Sequence, residues 1–76
     1  MTTRLSHLAP GQAARILEIS GMGIIRRRMM DLGLVAGTTI QALRTAPMND
    51  PVEYLVRGYH LAIRRRDAEG IAVELL

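Results

Sequence analysis

The 76 residues are enough for one small domain and leave no room for a second core. The chain has no cysteine, which excludes a disulfide framework, a thiolate metal site and an iron–sulfur cluster. Its net charge is +3 and all ten cations are arginine, but Tyr54 and Tyr59 are the only aromatics, too few to line a proline-peptide groove or a stacking platform for single-stranded nucleic acid.

Leu5 and Leu8 are apolar pins ahead of a turn at Pro10-Gly11. Residues 12–19 read as a first strand, with Ile16, Leu17 and Ile19 giving partial cover on both faces. Ser20 and Gly23 are the two candidate caps for the helix that follows. Met22, Ile25, Met29 and Leu32 recur at helical spacing and predict one buried stripe, which leaves Arg26, Arg27 and Arg28 facing solvent or a partner. Gly33 suits the left-handed position just past a helix end, and Leu34 is placed to fold back on Met29. Gly37 supplies a second turn before the chain becomes extended.

Residues 38–46 predict a second strand and residues 47–51 a turn, with two prolines around Met48, Asn49 and Asp50. Val52, Tyr54 and Val56 alternate with Glu53, Leu55 and Arg57 in a third strand, and Gly58 marks a tight hairpin. Tyr59, Leu61 and Ile63 are the expected inward set of a fourth. Residues 66–70 allow one helical turn, and Ile71, Val73 and Leu75 form a fifth strand of period two. Five short strands with tight turns predict a mainly β fold, a small closed barrel without exposed edges, with one inserted α-helix.

Little chemistry is written in the pattern. The two histidines, His7 and His60, lack a nucleophile and an orienting acid at useful spacing, so no catalytic residue is expected. The candidate metal ligands His7, His60, Asp50 and Glu53 form no helical or His-x-His pair, so no internal metal site and no cofactor are expected, and a metal contact would be a weak one at the surface. There is no phosphate-binding glycine loop. No apolar stretch approaches the ~20 residues that span a bilayer, and residues 1–20 do not read as a secretory signal, so a cytoplasmic protein is expected. The arginine runs at Arg26, Arg27, Arg28 and at Arg64, Arg65, Arg66 remain. They read either as a solvated basic face with local pairs such as Arg27 with Asp31, or as the footprint of an acidic protein, phosphate or anionic lipid.

The segment Leu32-Gly33-Leu34-Val35-Ala36-Gly37 resembles the Leu-Gly-(Leu/Met)-x-Pro-Gly signature of the ferrous-iron transport protein A family, FeoA. Residues 5–11 resemble the family's opening, Arg26, Arg27, Arg28 and Met29 its basic helix, and residues 47–51 its Pro-x-Gly-Asp-Pro hairpin tip. Residues 58–64 and 68–71 resemble its closing strand and final turn. Ala36 stands where the family usually has proline and Asn49 where glycine is common. Asn also tolerates positive φ. The resemblance implies an SH3-like barrel over residues 1–76 and an accessory role in bacterial ferrous-iron uptake. It also implies a partner, the membrane transporter FeoB with its cytoplasmic GTP-binding portion. Arg26, Arg27, Arg28, Met48, Asn49 and Asp50 are then the expected partner-binding residues. Three alternatives stay open: the SH3-like domain of an iron-dependent repressor, a nucleic-acid-binding barrel, which the aromatic poverty opposes, and a GTPase activator with an arginine finger.

Overall fold

A computed structural model of the chain describes residues 1–21 and 23–76. It contains six strands: β1 (Thr2–Arg4), β2 (Ala13–Ile19), β3 (Thr39–Thr45), β4 (Val52–Val56), β5 (Tyr59–Ile63) and β6 (Ile71–Leu75). Helix α1 (Ile24–Asp31) follows β2, α2 (Arg65–Ala68) follows β5, and a 3-10 turn spans Leu5–His7. The strands form one antiparallel sheet in the order β1-β6-β2-β3-β4-β5, curled into a small SH3-like barrel; among the described residues its end strands β1 and β5 do not pair, so the expected closure without exposed edges is not complete.

Alternation drives the sheet to curl around one core. In β4, Val52, Tyr54 and Val56 are buried while Glu53 and Leu55 are only half-buried. Ile16, Ile40, Ile63, Ile71 and Val73 join them from the other strands, with Leu5 and Leu34 closing the ends. The β4–β5 hairpin turns on two residues, Arg57 at φ 49° and Gly58 at φ 85°. Two successive positive φ values match the natural twist of a hairpin and keep the register tight.

Two bulges bend the sheet. The register shifts between Ile16 and Glu18, opposite β6, and between Ala42 and Arg44, opposite β4. Each inserts one leucine without a partner, and such an insertion sharpens local twist. The first explains why residues 12–19 do not alternate. It also corrects the expected cover on Leu17, which is 40% exposed.

The five expected strands and the inserted helix are present, and β1 is an additional strand. It pairs with β6, Thr2 against Glu74, and the Leu75 N–H donates to Met1 O at 2.9 Å. The turn after β1 is tied into the core, where the buried Tyr54 hydroxyl donates to Leu5 O at 3.4 Å. Burial pushes the Tyr54 phenol up to about 12. Tyr59, expected to face inward, is instead 40% exposed. Its hydroxyl reaches out of the sheet to donate to Leu32 O at the end of α1.

Candidate functional site

Helix α1 is eight residues long and weakly started. Its cap is Gly23, with no side-chain hydrogen bond and no acidic residue in the first turn. Its end is better defined. Gly33, at φ 92°, donates to Met30 O at 3.0 Å, and the Leu34 N–H donates to Met29 O at 3.0 Å. These two bonds are the paired closure that a left-handed residue past a helix makes possible. A Cβ on Gly33 would also lie 3.3 Å from the Tyr59 hydroxyl. The expected latch is thus in place, with Leu34 and Met29 both in the core.

The expected buried stripe is not. Met29 is the buried residue of α1, whereas Ile25 is 44% and Leu32 38% exposed. Met22 lies outside the described residues. Ile24 and Met30 are exposed as well. The helix stands on the rim of the barrel, and an eight-residue helix touching a curved sheet through one turn cannot bury a full stripe. Hydrophobic spacing identifies an apolar face but not what covers it.

The arginines stand among these apolar side chains. Arg26, Arg27 and Arg28 are all exposed, and the Arg26 Nε–H donates to Ile19 O at 3.3 Å. Among the described residues no ion pair within 4 Å includes Arg27 or Asp31, so the local pair that their spacing allows is not made. A groove of about 720 Å³ runs along this face, lined by Gly21, Gly23, Ile24, Arg26, Arg27 and Met30 among others. The surface therefore combines cationic and apolar groups within two helical turns.

The hairpin tip is separate from α1 in sequence and different in character. Met48 is 87% exposed and Asn49 adopts φ 66°, the conformation expected of an Asn in a glycine position. Asp50 is engaged from within: its Oδ1 accepts from the Arg65 backbone N–H at 2.9 Å, and its Oδ2 lies 3.8 Å from Arg64. The Arg65 guanidinium donates to Asn49 O and, at 3.2 Å, to Ser6 O. Thus Met48 is free to meet a partner, while Asp50 shapes the tip.

One polar cluster was not anticipated from sequence. Glu53 accepts from Arg44 at 2.6 Å and meets His60 Nδ1 at 2.7 Å. The Arg44 hydrogen bond, and then His60, hold the Glu53 carboxyl below the usual carboxylate range. The β3 bulge puts Arg44 opposite Glu53, and nothing in the residue pattern announces a bulge. With a guanidinium on the same carboxylate, the Glu53–His60 pair is a poor cation site. Among the described residues no three His, Asp or Glu side chains gather to hold a metal. Nor does any helix among them have the length and apolarity to cross a membrane.

Comparison with known proteins places this geometry. The family model described as FeoA domain matches residues 3–75. A fusion protein of Fe(2+) transport protein A and the Fe(2+) transporter FeoB from Porphyromonas gingivalis is 42% identical over 73 residues. That stretch is 96% of this chain but 9% of the fusion protein, so the chain spans about a tenth of that relative. The solution structure of FeoA from Chlorobium tepidum superposes with a TM-score of 0.91 at 43% identity, covering 97% of this chain and 70% of that one. FeoA of Stenotrophomonas maltophilia, a prokaryotic SH3 domain protein crystallised with zinc, shares the fold at TM-score 0.84 and 24% identity, over 95% of this chain and 89% of that one.

Proposed function

We propose a function from one premise: this chain belongs to the FeoA family. It is a small cytoplasmic accessory protein of bacterial ferrous-iron uptake that docks on the cytoplasmic part of the transporter FeoB and modulates it by binding, without catalysis. Support for the partner comes from the relative in which an FeoA-like stretch is joined to FeoB in one chain. The observation that carries the docking surface is the exposed surface of α1, where Ile24 and Met30 line one groove with Arg26 and Arg27, and Ile25 and Leu32 are exposed beside Arg28. Interfaces bury apolar anchors at their centre and keep arginine for oriented contacts, and this face offers both. Met48, with Asn49 and Asp50 shaping the tip beneath it, is the second contact. A bound accessory protein shifts its partner's conformational equilibrium only by its differential affinity for the two states.

The test is a binding titration against the purified cytoplasmic domain of the cognate transporter, with and without nucleotide, over a range of salt. Ile24→Ser removes an anchor and should weaken binding about tenfold, the size expected for burying one aliphatic side chain. Replacing Arg26 and Arg27 by Gln should weaken binding at low salt and flatten its salt dependence, because charge steering is screened over ~10 Å at 0.1 M salt. Unchanged affinity and salt slope in both variants would move the recognition surface to the tip at Met48, Asn49 and Asp50.

A further inference from the structure

Strand β5 ends the sheet, so one of its sides has no neighbouring strand. The hairpin decides which backbone groups face that side. Across a two-residue turn, Val56 and Tyr59 form a hydrogen-bonded pair, and such pairs alternate along an antiparallel ladder. Tyr54 with Leu61 and Val52 with Ile63 are then bonded pairs, while Leu55 with His60 and Glu53 with Ala62 are not. The N–H and C=O groups of His60 and Ala62 therefore point away from β4. Among the described residues no backbone group bonds to them, and both side chains are exposed. The other end of the sheet differs: β1 has three residues and runs straight into the 3-10 turn.

Charge and shape say what the β5 edge fits. Exposed arginines stand at both ends, Arg57 before the strand and Arg64 and Arg66 after it. Among the described residues no ion pair within 4 Å includes Arg57 or Arg66. The nearby acids are already engaged, Glu53 by Arg44 and His60, and Asp50 by Arg64 and the Arg65 backbone. A groove of about 520 Å³ lies over β3, β4 and β5 and reaches the strand, lined in part by Pro47, Pro51, Leu61 and Ala62 together with the Arg44, Glu53 and His60 cluster, in which the Glu53 charge is already paired. A second copy of the chain is a poor occupant. Antiparallel self-pairing centred on Leu61 brings Arg57 of each copy towards the exposed Arg64 and Arg66 beyond the end of the other's β5, between chains of net charge +3.

We propose that the open edge of β5 binds an extended acidic peptide segment as an added strand. Its backbone pairs with His60 and Ala62, small apolar side chains enter the groove, and carboxylates at its ends meet Arg57, Arg64 and Arg66. This is the strand-addition mode of peptide recognition, in which the main chain supplies affinity and alternate side chains supply selectivity. The strand-pairing surface lies apart from the groove along α1, although Arg57 rests against Gly33 at the end of that helix and Pro47 and Pro51 flank the tip at Met48; the proposal does not depend on docking by either.

The test uses the whole chain and a fluorescein-labelled Glu-Val-Thr-Val-Glu peptide, with Gln-Val-Thr-Val-Gln as the neutral control. In the free chain the His60 and Ala62 amides should exchange quickly with solvent, and those of Leu61 and Ile63 slowly. The acidic peptide should protect His60 and Ala62 and bind more tightly than the control. Ala62→Pro deletes an N–H that the fold does not use, a substitution edge strands tolerate, and should weaken binding about tenfold. Arg64→Gln should weaken it about two- to fivefold, as for an exposed ion pair. N-methylating either both valines or the threonine of the peptide gives a check that needs no folded variant, since only one of the two peptides should still bind. Four results would each overturn the proposal. They are equal binding of the acidic and neutral peptides, binding by both methylated peptides, no binding at all, and protection of His60 and Ala62 in the free chain. If that protection rose with chain concentration, self-pairing would be the occupant instead.

Discussion

Arg64, Arg65 and Arg66 repeat the tripeptide Arg26, Arg27 and Arg28, and each triplet meets a helix at the barrel surface. Arg65 is half-buried and bonds to carbonyls of two distant segments, at Ser6 and Asn49, while its own N–H holds Asp50. It fastens α2, the hairpin tip and the first turn to one another. In the α1 triplet, one hydrogen bond from Arg26 to Ile19 O is the tie to the barrel. The lesson is that a run of like charges gives no information about its role until its neighbours are known. A guanidinium bonded to carbonyls of two distant segments has a structural task, and one surrounded by exposed isoleucine and methionine is available for recognition.

The contrast between a fastened region and a presented one can be attacked from both sides. The largest effect is expected at high pH in the fastened region. Tyr54 carries a folded pKa of about 12 against an ordinary value of 10, so the folded state keeps its proton longer than the unfolded state. Its contribution is complete below pH 10 and is lost as pH rises towards 12, by about 3 kcal/mol in all. Urea denaturation as a function of pH should show this slope in the parent and not in Tyr54→Phe. Next, Arg65→Ala removes two charge-assisted hydrogen bonds and should cost about 2 kcal/mol by the same measurement. A cost below about 0.5 kcal/mol would put Arg65 in the same class as the α1 arginines.

Gly33→Ala probes the junction between the two regions. It forces a Cβ into φ 92° and against the Tyr59 hydroxyl, and should cost more than ~1 kcal/mol while leaving the sheet register unchanged in amide exchange. The smallest effect should come from the presented region. Changing Arg26 and Arg27 together to Gln should alter stability by less than ~0.5 kcal/mol, although the same change is expected to weaken transporter binding. A larger loss would mean that the α1 triplet is fastened after all.

How far the sequence alone reaches depends on the range of the interaction. Gly33 with Leu34, the period of Val52, Tyr54 and Val56, and the hairpin at Gly58 are local signals, and the structure has all three. Ile25 and Leu32 were expected in the core and lie outside it, because spacing shows that a face is apolar but not that the barrel is wide enough to cover it. The role of Arg65 rests on a carbonyl 59 residues away, and that of Arg44 on a bulge. Neither leaves a trace at nearby positions. The exposed arginines of α1 were legible, whereas the apolar groups that accompany them at the surface became visible only with the fold.

The pairing of β1 with β6 has a consequence for how this unit combines with others. Met1 and Leu75 are joined by a hydrogen bond, so the chain enters and leaves the barrel on adjacent strands, about 5 Å apart. The unit behaves like a plug with both leads on one side. It can be appended to either end of another polypeptide or spliced into a surface loop without opening its core, because the host needs only a gap one strand spacing wide. In such an arrangement α1 and the β5 edge remain free, and the local concentration of the domain near its host is set by the length of the linker rather than by expression level.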